Sequence, residues 1–432
     1  MSEWRRISLH DAGVTLIDCD HRTPPASDSG YPYIAIPQLK EGRLDLSDAR
    51  RISPSHYVDW TRKAKPRHYD VVLSRRCNPG ETAYVPAGLE CALGQNLVLL
   101  RADGTKVFPP FLRWLVRSPD WWEQIGTFIN VGAIFNSLKC ADIPNFKLPL
   151  PPLAEQKRIA HILGTLDDKI ELNRRMNATL EAMTRALFKS WFIDFDPVLQ
   201  NMDRNQTSPA ASRHPPPRGE GRFTLDPATA ALFPSEFQDS PLGKIPKGWE
   251  AGTVNDAFNC TMGQSPPGDT YTQEGNGIPF YQGCTDFGFR FPTRRIFCTA
   301  PTRYAKAGDT LVSVRAPVGD INMANEDCCI GRGIAAVRHK TGATSFTYHA
   351  MASLKPDFAK FEAEGTVFGS INKQNFENLH FVIPPPEIVA AYESQASLLD
   401  EEIYNLEHQS RTLANQRDTL LPKLLNGEIS VA

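Results

Sequence analysis

The chain has 432 residues, of which 41% are hydrophobic and 22% charged, with a formal net charge of −2. This balance excludes a disordered or collagen-like chain and a protein coated in positive charge, but it leaves room for a local basic patch. At roughly 100–200 residues per domain, the length predicts two to four domains.

No run approaches the ~18–20 apolar residues of a membrane-spanning helix. The opening Met-Ser-Glu-Trp-Arg-Arg lacks the apolar core of a signal peptide, so a cytoplasmic protein without membrane association is expected. The nine cysteines are odd in number and form no C-x-x-C pair, so they read as free thiols rather than a disulfide framework or a zinc site.

Taken in chain order, the first signals are Trp4 with Asp11-Ala12, then Thr23-Pro24-Pro25. A basic stretch follows, with Arg50-Arg51, Arg62-Lys63, Lys65 and Arg67. It leads into Asp70-Val-Val-Leu-Ser74-Arg75-Arg76-Cys77-Asn78-Pro79-Gly80. Val71–Ser74 and Asn96–Arg101 are β-rich runs bounded by Gly, Pro and Asp, whereas Phe111–Arg117 reads as helix. Leu148-Pro-Leu-Pro151-Pro152 closes this stretch.

Leu153 to Phe192 then contains no proline and a single glycine. Ile159, Leu163, Leu166, Ile170, Leu180 and Leu187 fall in alternating 4–3 steps, completed by Asn173, Asn177 and Thr184. This is a coiled-coil seam diluted by polar positions, and ~40 residues of helix would span ~60 Å. Trp191 to Phe195 reads as a packed helix end. Residues 197–245, rich in Pro, Ser and Gly around Thr207–Arg222, read as a flexible linker.

The signals then recur in the same order. Trp249 stands with Asp256-Ala257, and Ser265-Pro266-Pro267 answers the first proline turn. Asp309-Thr-Leu-Val-Ser313-Val314-Arg315-Ala-Pro-Val-Gly319 answers Asp70–Gly80, and Cys329-Ile-Gly331 answers Cys91-Ala-Leu-Gly94. Thr310–Val314 and Ile334–Arg338 are β-rich, and His349–Lys355 reads as helix. After Pro384-Pro385-Pro386, Leu399, Ile403, Leu406, Leu413, Leu420 and Leu424 repeat the 4–3 steps around Ser410 and Arg417. Pro422 puts the last turn in question.

Each match is weak alone, but the shared order predicts a duplicated unit. The expected organisation is a first domain at 1–150, a long helix at 151–196 and the linker at 197–245. A second domain follows at 246–384 and a second long helix at 385–432. An amphipathic helix this long needs a partner for its apolar stripe, and the economical partner is the other helix. The alternative is two unrelated helices, each buried in its own domain.

Enzymatic constellations are missing. There is no G-x-x-x-x-G-K-[ST] phosphate loop, no G-x-S-x-G elbow and no [ND]-P-P-[YF] tetrapeptide. What recurs is basic and carboxamide residues near turns. Guanidinium forks pair phosphates or the guanine edge, and Asn or Gln pairs the adenine edge. Lys63, Arg67, Arg75, Arg76 and Asn78 are therefore candidate DNA contacts in the first copy. Gln264, Gln282, Arg294, Arg295, Arg315 and Arg332 are candidates in the second, with Arg290, Arg303 and Lys306 in the same basic stretch. The alternative for any one of them is a solvated charged face.

The Trp-x6-Asp-Ala starts, the Thr/Ser-Pro-Pro turns and the Asp-x3-Ser-x-Arg strands resemble the specificity subunits of type I restriction–modification systems. So do the run Leu148-Pro-Leu-Pro-Pro-Leu-Ala-Glu155-Gln156 through Ile170, the phrase Ile245–Trp249 and the closing Leu421–Ile429. The resemblance implies an α+β fold with two mixed α/β target-recognition domains held apart by two long antiparallel helices. Each domain would read half of a bipartite, asymmetric site in double-stranded DNA.

The helices would dock two methyltransferase subunits, with Ile159, Leu163, Leu166, Ile170, Leu399, Ile403, Leu406 and Leu413 at the interface. A restriction–translocase subunit would join where one is present. No cofactor is implied in this chain, since S-adenosylmethionine, ATP and Mg would reside on the partners. Pro386-Glu387-Ile388-Val389 stands where the first copy has Pro-Leu-Ala-Glu-Gln, so the second helix start is expected to be displaced. Two other classes stay open here: a scaffold binding only protein through its helices, and a nuclease or methyltransferase with a degenerate motif.

Overall fold

The structure, a computed structural model, describes residues 4–132, 136–206, 225–363 and 369–429. It forms two compact units, Met1–Leu172 with Gln409–Ala432 and Asn173–His408. Among the described residues no helix is long and apolar enough to cross a membrane.

The first unit is built on strands β1 (Arg6–Ser8), β2 (Val14–Asp18), β3 (Tyr31–Ile34), β4 (Val71–Ser74), β5 (Thr82–Tyr84), β6 (Ala92–Leu93), β7 (Leu97–Ala102) and β8 (Lys147–Pro149). An antiparallel sheet runs β2-β7-β4-β5. Alternation along the strands feeds two cores. Val71, Leu73, Val98 and Leu100 pack with helices α1 (Pro109–Leu115) and α2 (Pro119–Phe128), around Phe111, Trp114 and Trp121. Val72, Leu97 and Leu99 face the other way, onto Ile34 and Leu93. Those two residues belong to β3 and β6, which pair in parallel, while β1 and β8 close the unit antiparallel.

The second unit repeats this plan with β9 (Glu250–Thr253), β10 (Phe258–Met262), β11 (Ile278–Tyr281), β12 (Thr310–Ser313), β13 (Ile321–Met323), β14 (Cys328–Ile330), β15 (Ile334–His339) and β16 (His380–Ile383). Its sheet runs β10-β15-β12-β13, β11 and β14 pair in parallel, and β9 pairs antiparallel with β16. Val312, Ala335 and Val337 face helix α3 (Thr344–Ser353) through Phe346, and Leu311, Ile334 and Ala336 face Tyr281 and Ile330. Helix α4 (Lys355–Ala363) follows. Even the ion pair on a buried aspartate repeats: Arg101 grips Asp70 at 2.6 Å, and Arg338 grips Asp309 at 2.6 Å.

Both long helices are present, a central helix at Leu153–Phe192 and a C-terminal helix at Pro386–Leu425. They run antiparallel within each unit. In the first, Ile159 and Leu163 share a core with Leu421 and Leu424, while Asp167 meets Arg417. In the second, Asn177 donates to Glu407 at 3.2 Å and Tyr392 donates to the Thr184 carbonyl. Pro422 lies inside the last turns without ending the helix. It removes one hydrogen bond near the terminus, and burial of Leu421, Leu424 and Leu425 holds the turn in place.

Two expectations need correction. The segment 197–245 is ordered at both ends: Asp196–Gln206 and Pro227–Ala231 are helical, and Phe237–Ser240 pairs with Gly243–Pro246 as a hairpin. Val198 and Phe233 are buried in the second unit's core, which is why these stretches do not behave as linker. The Pro/Ser-rich tract expected at Thr207–Arg222 lies outside the described residues.

The helix seam also differs. Ile159, Leu163, Ile170, Ile403 and Leu406 are buried as expected, but Leu166, Leu399 and Leu413 are only half-buried. Asp167 and Glu181, the neighbours of Leu166 and Leu180, are buried instead. The helices pack onto the globular parts as well as on each other, and those contacts take the charged positions.

Asp167 receives Arg417 of the C-terminal helix at 2.6 Å, Arg43 at 3.1 Å and Arg113 of α1 at 3.7 Å. Burial alone would raise this carboxyl, but the guanidiniums outweigh it and hold it below the usual range. The second unit inverts the arrangement. The fully buried Arg290 lies between Glu181 of the central helix and Asp400 of the C-terminal helix, the latter at 2.9 Å. Its guanidinium carbon sits 3.9 Å from the Tyr348 ring centroid.

His349 of α3 is buried beside Phe188, Tyr392 and this arginine. Burial first, then the positive charge of Arg290, pushes its pKa down to about 3.

Two outcomes are expected. Arg290→Met leaves Asp400 without its cation and Glu181 with only the exposed Arg185, so denaturant unfolding should show a loss of about 3–5 kcal/mol. The unfolded imidazole of His349 binds its proton below about pH 6.5 and the folded one only near 3. Its contribution is therefore complete above 6.5 and lost as pH falls toward 3. His349→Phe should flatten the stability-versus-pH slope in that window, and an unchanged slope would contradict the buried neutral imidazole.

Candidate nucleic-acid interface

Hydrogen bonds between the strand ends set the geometry. In the first unit β4 runs into the loop 75–80, where Ser74 Oγ donates to the Arg76 carbonyl at 2.9 Å and the Gly80 amide returns to the Ser74 carbonyl at 3.0 Å. Gly80 has φ +100°, and a Cβ there would meet Trp122 and Ile125 at 2.9 Å, so only glycine fits. The Trp121 indole donates to the Gly80 carbonyl at 3.0 Å. Arg76 bridges to Ser137, and the Leu138 amide donates to the Arg75 carbonyl. The loop is thereby fixed from both sides, leaving Arg76 and Asn78 exposed on it.

The second unit fixes its loop the same way. Ser313 Oγ donates to the Pro317 carbonyl, Gly319 returns to Ser313, Arg315 bridges to Ser370, and Ile371 donates to Val314. Arg315 is exposed there. Arg76 and Arg315 are thus structural counterparts, and neither guanidinium has an ion-pair partner among the described residues.

The parallel strands abut these loops. In the second unit Gly331 donates to Tyr281, Gly333 to Gln282 and Val314 to Gly333. Ser265 Oγ accepts from Gln282 Nε2 at 2.9 Å and from the Arg332 amide at 3.3 Å. Gln264, Gln282 and Arg332 consequently gather around the Ser-Pro-Pro turn, and the Val314 bond to Gly333 ties the loop of Arg315 to the same strand end.

In the first unit Gly94 donates to Ile34 and Arg75 to Asn96, so the same ends meet beside Arg75 and Arg76. Arg75 itself is half-buried, with Nε unpaired. Arg50 Nη1 donates to the Pro24 carbonyl at 3.2 Å and pins the Thr-Pro-Pro turn to this corner. Gln38, Arg50 and Asn96 belong to the corner although the sequence reading did not select them as contacts. Arg50 was legible only as part of the basic stretch and Asn96 only as the start of a β-rich run, and Gln38 carried no signal.

Other candidates fall elsewhere. Arg67 is exposed but sits before β4, at the end opposite Arg76, and its amide donates to Asp70. Lys63 is exposed, and its charge acts on the Asp20 carboxylate, helping to hold it below the usual range. Arg294 and Arg295 are not free cations: Arg294 pairs with Glu326 at 2.5 Å and Arg295 with Asp286 at 2.6 Å. Lys306 likewise pairs with Asp327, and Arg290 is the buried cation of the helix contact. Their carboxylate partners are distant in sequence, which is why the basic stretch read as one patch.

Among the described residues, one group of three donors has metal-ligand proximity. Asp18, Cys19 and His21 hold their ligand atoms within 4.8 Å of one another. Each already has a partner: His21 bridges Asp18 and the Gln95 carbonyl, and the Cys19 thiol donates to the Gly94 carbonyl. Burial pushes that thiol up to about 11, the opposite of what a thiolate ligand requires.

A family model described as the type I restriction modification DNA specificity domain matches the chain twice, at residues 20–182 and 246–409. The type I restriction enzyme HindI specificity subunit of Haemophilus influenzae is 26% identical, covering 99% of this chain and 100% of its own length. The MjaIX specificity subunit of Methanocaldococcus jannaschii is 25% identical, covering 84% of this chain and 78% of its own. A crystal structure of a type I restriction-modification system S subunit from M. genitalium superposes with a TM-score of 0.58 at 15% identity, over 98% of this chain and 96% of that one. At that identity the likeness concerns the fold. The chain belongs to the family of type I restriction–modification specificity subunits, and it is a specificity subunit rather than a catalytic one.

Proposed function

We propose that the chain is the DNA-reading adaptor of a cytoplasmic type I restriction–modification complex, each unit reading one half of a bipartite, asymmetric target. One observation carries this reading. The two units present an exposed guanidinium, Arg76 or Arg315, without an ion-pair partner among the described residues, on loops fixed by the same hydrogen bonds, while the side chains around the two loops differ. A shared frame with different neighbours suits recognition of two different half-sites. The long helices would dock two methyltransferase subunits. Met176 and Met183, seven residues apart and exposed on one face of the central helix, are adaptable apolar contacts of the kind such docking uses. S-adenosylmethionine, ATP and Mg would enter with the partner subunits, including a restriction–translocase subunit where one is present.

The test is binding of the full chain to duplex DNA at several salt concentrations. Arg76→Ala and Arg315→Ala should each cost about 1–3 kcal/mol if the arginine contacts a base. If either contacts a phosphate, the slope of log affinity against log salt should fall by about one unit. Unchanged affinity and slope in both variants would remove these loops from the interface. Absence of salt-dependent binding by the unaltered chain would favour a scaffold that binds only protein.

A further inference from the structure

The first unit contains a cleft of about 370 Å³ that the loops around Arg76 do not use. It opens at the carboxyl ends of the parallel strands β3 and β6, and its lining includes Thr23, Tyr33, Gln38, Arg50, Gln95 and Asn96. The Gly94 amide donates to the Ile34 carbonyl at 2.7 Å, and a Cβ on Gly94 would stand 2.9 Å from that oxygen. The close approach leaves the segments that follow β3 and β6 to diverge as the cleft walls. Strand ends at such a divergence are common ligand positions in mixed sheets.

We propose that this cleft is a base-reading site of the first unit, in which the Asn96 carboxamide pairs with the N6 and N7 edge of an adenine and Gln38 donates alongside it. The inference rests on the DNA-reading function proposed above. Asn96 is half-buried in the wall, its backbone carbonyl is held by the Arg75 amide at 2.9 Å, and among the described residues its carboxamide has no hydrogen-bond partner. Its position is therefore fixed by the main chain while its donor and acceptor stay available. Gln38 Oε1 accepts from the Ala35 amide at 3.1 Å, which orients the side chain and leaves the Nε2 hydrogens for an acceptor.

The charge of the cleft favours a base over a phosphate. Its lining carries one cation, Arg50, and one anion, Asp48, which cancel formally, and Arg50 is already committed to the Pro24 carbonyl. A phosphate site would gather uncompensated cations. A neutral cleft walled by carboxamides matches the donor–acceptor edge of a base pair in the major groove.

The second unit shows what is particular here. The hydrogen-bond register equates Gly94 with Gly331, Gln95 with Arg332 and Asn96 with Gly333, because Gly331 donates to Tyr281 and Gly333 accepts from Val314. At Gly333 a Cβ would lie 2.6 Å from the Gln282 carbonyl, so no side chain fits. Gln282 is spent on Ser265, which leaves the exposed Arg332 guanidinium, a guanine reader, at the same corner. The two corners thus offer opposite base preferences from one backbone frame.

The experiment selects bound duplexes from a random-sequence DNA pool with the full-length chain, its Asn96→Ala variant and its Asn96→Asp variant, with thermal unfolding as a check on folding. The unaltered chain should yield a motif in which Asn96→Ala loses preference for adenine at one position, on the order of 10- to 100-fold. The rest of the motif and the salt slope should not change. Asn96→Asp keeps the shape of the side chain, removes its donors and should move that position toward cytosine, whose amino group it can accept.

A motif identical in all three proteins would overturn the cleft assignment and leave the DNA-reading function standing. Weaker binding by Asn96→Ala with unaltered sequence preference would also overturn it, in favour of a contact to the DNA backbone. If the unaltered chain selects no motif, the DNA-reading function fails and the cleft assignment fails with it.

Discussion

Most of the architecture depends on how buried charge joins the long helices to the globular parts. A 40-residue helix with Asn173, Asn177 and Thr184 in its seam buries too few apolar groups to be held by its partner helix alone. Each unit solves this with one charged group that all neighbouring elements must meet. In the first it is Asp167, reached by guanidiniums from the short strand Arg43–Leu44, from α1 and from the C-terminal helix. In the second it is Arg290, reached by carboxylates from both helices. A buried charge of this kind is weak as a source of net stability but strict about geometry, since any arrangement that strands it is heavily penalised. Its value here is registration: it fixes which residues of each helix face the domain.

The same division between a rigid frame and variable contents appears in the two corners proposed for recognition. Backbone hydrogen bonds, two positive-φ glycines and a serine hydroxyl repeat between the units. The side chains these groups display do not. Base discrimination needs placement to within a fraction of an ångström, and main-chain bonds provide it without constraining side-chain identity. A duplicated domain can therefore change what it reads without being refolded.

The sequence carried the repeat, several of the β-rich runs, both helices and the family, because these rest on periodicity and on proline and glycine punctuation that survive at fixed spacing. It did not carry the electrostatics. Asp167 and Glu181 each neighbour a leucine that fits the heptad better, and partners distant in sequence, Arg43, Arg113 and Arg417 for the one and Arg290 for the other, meet them where they are buried. Arg290, Arg294 and Arg295 read as one basic stretch because Asp400, Glu326 and Asp286 come from elsewhere in the chain. Asn96 read as the first residue of a strand run. Its placement follows from a parallel pairing of β3 with β6, two elements almost sixty residues apart in sequence, which local pattern does not reveal.

The starts of the long helices differ in a way that bears on their evolution. The Gln156 side chain, in the first turn of the central helix, accepts from the Phe108 amide at the start of α1 and donates to two nearby carbonyls. The equivalent service at α3 falls to Glu393, whose carboxylate takes the amides of Thr344, Ser345 and Phe346 from one turn further along its helix. Four residues advance an α-helix by slightly more than one revolution, so the extra turn keeps the capping side chain on the same face. Insertions and deletions in these helices are accordingly filtered by phase. Losing or gaining a whole turn preserves the anchor, whereas a change of two residues would swing it to the far side and uncap the neighbouring helix.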